Sequence, residues 1–188
     1  STEDILHAAE QVPAMDVYVL PNNKNIVMAA EQAARLARTS GVRRIHVVPT
    51  TTIPQGISAM MAYDESAEIK DNVEAMQEAA SRVQSGSVTF AARDSDYDGH
   101  QIKEGELLAL ENGKVAFTGT DLGSVTAKVA KDLMQEDSQF ITLLYGADVS
   151  EEQAADVEEA VRSLLPEEVE LTVAYGGQPV YYFLISVE

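Results

Sequence analysis

Two stretches in the first half of the chain share one pattern: a short apolar strand, a proline, a polar loop and then a helix. The first reads Val-Tyr-Val-Leu-Pro-Asn-Asn-Lys-Asn over residues 17–25, and the second reads Ile-His-Val-Val-Pro-Thr-Thr-Thr-Ile-Pro-Gln-Gly over residues 45–56. Strand–helix–strand connections of this length favour parallel strands joined by right-handed crossovers. The pattern therefore predicts that both polar loops open at the same edge of a sheet, at the carboxyl ends of its strands.

Capping residues and apolar periodicity predict the other elements of an α/β chain with mixed sheets and helical crossovers. In the first half they predict strands over residues 16–21 and 44–49, a loop over 50–56, and helices over 1–11, 26–38, 57–63 and 67–83. In the second half they predict a strand over 87–93, a turn over 94–99, a hairpin around 111–113, a helix over 121–135 and a terminal β-α-β-β block over 140–187. We expect two lobes, 1–85 and 86–188, or one continuous domain.

The charge balance limits the classes of partner. The chain carries 31 acidic and 13 basic residues, a formal net charge of −18. Such a surface repels phosphate backbones and anionic lipid, so we expect neither nucleic-acid binding nor membrane insertion. The chain has no cysteine, no apolar run of about 18 residues and no signal peptide, so we expect a cytoplasmic location. It begins at Ser1 rather than methionine, which suggests a fragment of a longer polypeptide.

The two polar loops are the best candidates for a binding edge, because ligands of open α/β sheets lie outside the carboxyl ends of the strands. Their asparagines suit turns and helix caps, Lys24 supplies a cation, and the threonines supply hydroxyl groups. Ordinary turn and cap chemistry remains the alternative for either loop. The predicted partner- or ligand-binding residues are Asn22, Asn23, Lys24, Asn25, Thr50, Thr51, Gln55, Gly56 and Arg93.

Other motifs carry little chemistry. The run Asp94–Gly99 resembles the start of a calcium-binding EF-hand loop, but Gly105 stands where the bidentate glutamate is needed, so a solvated turn is favoured. His46 alternates with apolar residues and is interpreted as a satisfied core histidine or a sheet-face histidine. No phosphate-binding glycine loop occurs, and we predict no catalytic residue or metal site. The Ala-Met-Met-Ala run at 59–62 and the tyrosines at 175, 181 and 182 are interpreted as packing residues.

The same segments resemble the C-terminal region of FakA, the ATP-binding subunit of bacterial fatty acid kinase, a family related to dihydroxyacetone kinase. The resemblance covers the whole chain in order and departs from the expected threonine at Ser95. It rests on residues 17–26, 29–34 and 47–56, on Arg93-Asp94-Ser95, Asp98-Gly99, Ile102 and Gly105, and on Tyr-Gly-Gly-Gln-Pro-Val-Tyr-Tyr-Phe at 175–183.

The resemblance implies a fold like those of DegV proteins and of the dihydroxyacetone kinase K subunit. It also implies that this chain docks FakB, a fatty-acid-carrying protein, while ATP and magnesium bind an N-terminal kinase domain elsewhere in the polypeptide. No cofactor and no independent activity are then expected here. Two alternatives stay open: a site for a triose such as dihydroxyacetone, with His100 as a covalent or acid–base residue, and a module that forms a homodimer.

Overall fold

The structure, a computed structural model, describes residues 1–97 and 99–188, so Asp98 of the predicted turn lies outside the described residues. The chain divides into two compact units, Ser1–Val83 and Gln84–Glu188. Among the described residues, no helix is both long and apolar enough to cross a membrane.

The first unit alternates helices with two short strands. Its elements are α1 (Thr2–Gln11), β1 (Asp16–Val19), α2 (Lys24–Ser40), β2 (Arg44–Val47), α3 (Ile53–Met61) and α4 (Ile69–Ser81). Strands β1 and β2 are parallel, as predicted, with Val17 opposite Ile45. Small buried alanines, Ala33 and Ala37 among them, let α2 pack closely against β2. The helix ends at Gly41, whose φ of 70° is a left-handed cap.

An ion pair and a histidine contact join the amino ends of β1 and β2. Asp16 accepts hydrogen bonds from Nε and Nη2 of Arg44 at 2.7 and 2.9 Å, and its Oδ1 lies 3.0 Å from His46 Nε2. Hydrogen bonds from Arg44 and, to a smaller extent, from His46 hold the pKa of Asp16 well below its usual range. His46 is therefore a half-buried residue of β2 whose ring contacts the carboxylate at the amino end of β1.

The second unit is strand-rich. Its elements are β3 (Gln84–Phe90), β4 (Ser95–Tyr97), β5 (His100–Ile102), β6 (Leu107–Glu111), β7 (Lys114–Gly119), α5 (Leu122–Leu133), β8 (Phe140–Tyr145), α6 (Glu151–Leu164), β9 (Glu170–Tyr175) and β10 (Phe183–Val187). Asp121 and Ser150 cap α5 and α6 as predicted. The terminal β-α-β-β block, β8-α6-β9-β10, is confirmed.

Six of these strands form one mixed sheet in the order β7-β6-β3-β10-β8-β9. Only β8 and β9 are parallel, and the other neighbours in the sheet are antiparallel. The β6–β7 hairpin turns at Asn112 and Gly113, both with positive φ, as its sequence predicts. Helices α5 and α6 pack on each other, α5 against β3, β6 and β10 and α6 against β9, and together they enclose the main core.

Four predictions about these elements were wrong. Helix α3 begins at Ile53 rather than residue 57, and α2 begins at Lys24 rather than residue 26, because Thr52 and Asn23 already cap them. The predicted turn over 94–99 contains strand β4, which pairs with β5. Tyr175 and Tyr181 are largely exposed, although the Tyr175 ring contacts that of Tyr145, since the chain leaves the sheet between Tyr175 and Phe183.

Glu111 gives the second unit a predicted dependence on pH. The pKa of Glu111 is raised to about 7. Partial burial is the largest cause and the nearby carboxylate of Asp132 the second, whereas Lys128 opposes the rise. The folded state then holds more protons than the unfolded state between the ordinary glutamate pKa and 7, so stability falls as pH rises through that window. After allowance for solvent screening, the Glu111 contribution to the free energy of unfolding should fall by about 1 kcal/mol between pH 5 and 8.

Urea unfolding at pH 5, 6, 7 and 8 measures this effect. Glu111→Gln should abolish most of the decline, whereas Glu167→Gln, at an exposed position, should leave it intact. Equal pH profiles for the wild-type chain and Glu111→Gln would show that Glu111 is not the responsible group.

Candidate functional site

The two polar loops lie side by side at the carboxyl edge of β1 and β2, as their repeated pattern predicts. Val48 N donates to Val19 O at 3.0 Å just beyond the strands, and Thr50 Oγ1 donates to Pro21 O at 2.6 Å. This hydrogen bond joins the two loops directly and places their outer residues on neighbouring parts of the surface. We name the exposed or half-exposed residues of this surface the polar rim: Asn22, Asn23, Lys24, Asn25, Thr51 and Gln55.

Thr50 is not part of the rim, contrary to the prediction. Its side chain is 1% exposed, and its hydroxyl is engaged with Pro21 O and, at 3.4 Å, with Val48 O. A buried hydroxyl needs such partners, since an unpaired one costs free energy. Thr50 therefore positions the loops, and its buried side chain offers almost no accessible surface.

Thr50→Val is expected to lower the free energy of unfolding of the first unit by about 1 to 2 kcal/mol, because it keeps the side-chain shape but leaves the buried Pro21 carbonyl without this donor. Thr51→Val, at a half-buried position, should cost less than about 1 kcal/mol. Thermal unfolding by circular dichroism measures both. A smaller loss for Thr50→Val than for Thr51→Val would contradict this role.

The first loop of the rim is built around a helix cap. Asn23 has extended backbone, and its Oδ1 accepts from Asn25 N at 2.8 Å, which starts α2. Asn22, Lys24 and Asn25 are exposed beside it. The Lys24 ammonium makes no hydrogen bond or ion pair with any residue that the structure describes. The loop thus presents one free cation and two amide side chains at a fixed place.

The second loop ends in a cap of a related kind. Thr52 Oγ1 accepts from Gln55 N at 3.2 Å, and Gln55 Oε1 accepts from Thr51 N and Thr51 Oγ1 at 2.8 and 3.1 Å. Gln55 and Gly56 therefore lie in the first turn of α3, whereas the sequence interpretation placed them in a loop. The signal was present as Thr-Ile-Pro-Gln, a capping threonine with glutamine three residues later and proline in the first turn.

An open pocket of about 330 Å³ lies beside the second loop, bounded by Thr50 and Gln55 on one side and by Gln77, Ala80 and Ser81 of α4 on the other. Its volume is at the lower end of small-molecule sites. None of its lining residues in the described part of the chain is charged.

Two other residues that the sequence analysis named, Arg93 and His100, belong to the second unit. Arg93 lies in the second unit between β3 and β4, and His100 lies half-buried in β5 of that unit. The polar rim is therefore defined without them. Within residues 1–97 and 99–188, no three histidine, aspartate or glutamate side chains are grouped so that they could hold a metal ion.

Two surface features were missed by sequence reasoning. The Ala-Met-Met-Ala run does not serve packing alone, because Met60 and Met61 are exposed while Ala59 is buried. The segment between β9 and β10 holds Val180 at a φ of 70°, a rare backbone for a β-branched residue. Thr89 Oγ1 donates to Val180 O at 2.8 Å, and the side-chain amide of Gln178 donates to Leu144 O at 2.9 Å, which fixes this segment.

The sequence of this chain matches a known family over its whole length. The family model for the C-terminal region of FakA-like fatty acid kinase proteins matches residues 1–188. The chain is a member of that family. An uncharacterized protein of Staphylococcus haemolyticus is 41% identical and Bacillus subtilis protein YloV is 39% identical, each over all of this chain. The chain spans 33% of the length of either relative.

Solved structures share the fold at low sequence identity. Dihydroxyacetone kinase from C. freundii, solved with AMP-PNP and Mg²⁺, has a TM-score of 0.69 at 15% identity over 100% of this chain and 41% of its own. The Fak B3 protein of Streptococcus pneumoniae, loaded with linoleic acid, has a TM-score of 0.65 at 13% identity over 100% and 76%. A fatty-acid-binding DegV family protein from Thermus thermophilus has a TM-score of 0.62 at 15% identity over 99% and 76%. The predicted fold class is confirmed.

Proposed function

We propose that this FakA-like C-terminal domain docks a FakB-type protein that carries a fatty acid. The observation that carries the proposal is the junction of the two loops by Thr50 and Pro21, which makes one rim from residues distant in sequence. Family membership supports the choice of partner, because the family is that of a fatty acid kinase subunit.

The domain acts as a tether in this proposal. ATP and Mg²⁺ bind in the kinase domain of the longer cytoplasmic polypeptide, where the acyl carboxylate becomes an acyl phosphate. Docking raises the effective concentration of the loaded FakB near that kinase domain, as linked modules do. No residue of this chain is assigned a catalytic role.

The rim supplies polar specificity. The free ammonium of Lys24 suits a carboxylate on the partner, and the amides of Asn22 and Asn25 can both donate and accept hydrogen bonds. Asn23 has a different task, since its side chain is already used as the cap of α2. We therefore expect binding to depend on Lys24 and Asn25 and helix stability to depend on Asn23.

Calorimetric titration tests the proposal. The 188-residue chain is titrated with a FakB protein of the same organism loaded with linoleic acid. The double variant Lys24→Ala/Asn25→Ala should weaken binding about tenfold, the result of losing about 1.4 kcal/mol. Lys114→Ala, an exposed lysine of β7, is the matched control and should change affinity less than about twofold.

Two results would contradict the proposal. One is the absence of heat and of co-elution when both proteins are folded. The other is undiminished affinity of the double variant. Sedimentation of the chain alone, without FakB, would reveal a homodimer if the rim served self-association instead.

A further inference from the structure

Helix α3 presents an exposed apolar face next to the polar rim. The side chains of Ile53, Ile57, Met60 and Met61 are spaced so that they share one side of the helix, and all four are exposed. Met60 is 63% exposed and Met61 84% exposed. We name these four residues the α3 face. The other side of the helix is anchored, because Ala59 is buried in a core cluster with Met76 of α4.

The α3 face lies in a stretch without charge. Residues 45–63 contain no aspartate, glutamate, lysine or arginine, although 23% of the whole chain is charged. Charge depletion together with exposed methionine is typical of the centre of a protein interface, where flexible thioether side chains adapt to a partner. Contiguous exposed apolar residues of this kind mark interaction sites.

An acidic border adjoins this face. Helix α3 packs against α4, and the acidic residues between the end of α3 and the end of α4 are exposed, whereas Asn72 and Met76 of α4 are buried. Residues 64–78 contain one basic residue, Lys70, and six acidic residues: Asp64, Glu65, Glu68, Asp71, Glu74 and Glu78. An occupant of the α3 face therefore approaches a segment of the first unit that carries excess negative charge.

The sign of this charge selects the kind of occupant. A second copy of the chain would bring the same acidic segment and another net charge of −18, so the two copies repel. A protein with lysine or arginine around an apolar patch is complementary instead. Such a partner would cover the α3 face and meet the polar rim at once, because Gln55 belongs to the first turn of the same helix.

We propose that the α3 face is the apolar centre of the docking surface and that it binds an apolar patch of the fatty-acid-carrying partner that is bordered by basic residues. This inference rests on the proposed function and adds to it the chemistry of the partner surface. The polar rim then fixes orientation, while the α3 face supplies most of the binding free energy.

Paired substitutions test the apolar part. Met60→Gln/Met61→Gln keeps helix-compatible side chains of similar length and should weaken binding of the linoleic-acid-loaded FakB protein by about tenfold or more. The control is Met15→Gln, the same exchange at a 54% exposed position before β1. It should alter affinity less than about twofold. Met61→Gln alone, at the most exposed position, should weaken binding about threefold and serves if the double variant folds poorly.

Removal of acidic side chains from this chain tests whether the partner's apolar patch is bordered by basic residues. Glu65→Gln/Glu68→Gln should slow association and weaken binding about threefold at low ionic strength, with a smaller effect at high salt. Glu167→Gln/Glu168→Gln removes the same charge from the second unit and should have little effect. Tighter binding by Glu65→Gln/Glu68→Gln would contradict the inference that the partner's patch is bordered by basic residues.

The outcomes separate this inference from the proposed function. Binding of FakB by the wild-type chain with full affinity retained in both methionine variants overturns the α3 face and leaves the docking function standing. Absence of binding by the wild-type chain overturns both. A dimer of the chain that dissociates in the methionine variants while FakB binding is unchanged assigns the face to self-association and also overturns the inference.

Discussion

Phe183→Ala should lower the free energy of unfolding of the second unit by about 4 kcal/mol, the largest effect expected for a single substitution in this chain. Phe183 is fully buried in β10, the strand that pairs with both β3 and β8 in the middle of the six-stranded sheet. Truncation of a buried phenylalanine loses apolar burial and leaves a cavity, which typically costs about 3 to 5 kcal/mol. Urea unfolding followed by circular dichroism measures the loss.

Phe140→Ala is the matched control. Phe140 begins β8 and is 48% exposed, so its truncation should cost less than about 1.5 kcal/mol. Similar losses for the two variants would show that β10 is not central to the core.

Gly86→Ala is expected to cost about 2 to 3 kcal/mol, because β3 and α5 meet at this residue. A Cβ atom there would lie 2.4 Å from Val129 Cγ1 and 2.8 Å from Leu133 Cδ1, so the helix must shift or repack. Overpacking of a filled core is destabilising by this order. The same unfolding experiment measures it.

Gly56→Ala provides the opposite case. A Cβ atom there would lie 3.9 Å from Leu20 Cβ, an ordinary contact. Because alanine favours helix over glycine, Gly56→Ala should stabilise the first unit by about 0.5 to 1 kcal/mol. Stabilisation by Gly86→Ala, or equal effects of both variants, would contradict this packing.

Local signals accounted for most elements of the fold. Helix caps at Ser1, Asp121 and Ser150, and the Asn112-Gly113 turn, act through neighbouring residues, so the sequence alone reveals them. The place of β10 between β3 and β8 could not be derived in this way, because it depends on pairing between residues nearly a hundred positions apart. The start of α3 was missed although its capping signal is local.

The candidate site was only partly predictable, for a related reason. The repeated strand–proline–loop pattern implies adjacent loops, since parallel strands end at one edge. The burial of Thr50 depends on the carbonyl of Pro21 in the other loop, and no local pattern reveals it. The exposure of Met60 and Met61 is equally nonlocal, because an apolar run in a sequence does not show whether another element covers it.

The most direct test of the docking account is hydrogen–deuterium exchange of the 188-residue chain with and without linoleic-acid-loaded FakB. Backbone amides of residues 22–27 and 51–63, which include the polar rim and the α3 face, should exchange more slowly in the complex. Exchange in β1, β2 and the β6–β7 hairpin should be unchanged. A complex that protects other segments while these two exchange as in the free chain would contradict the account.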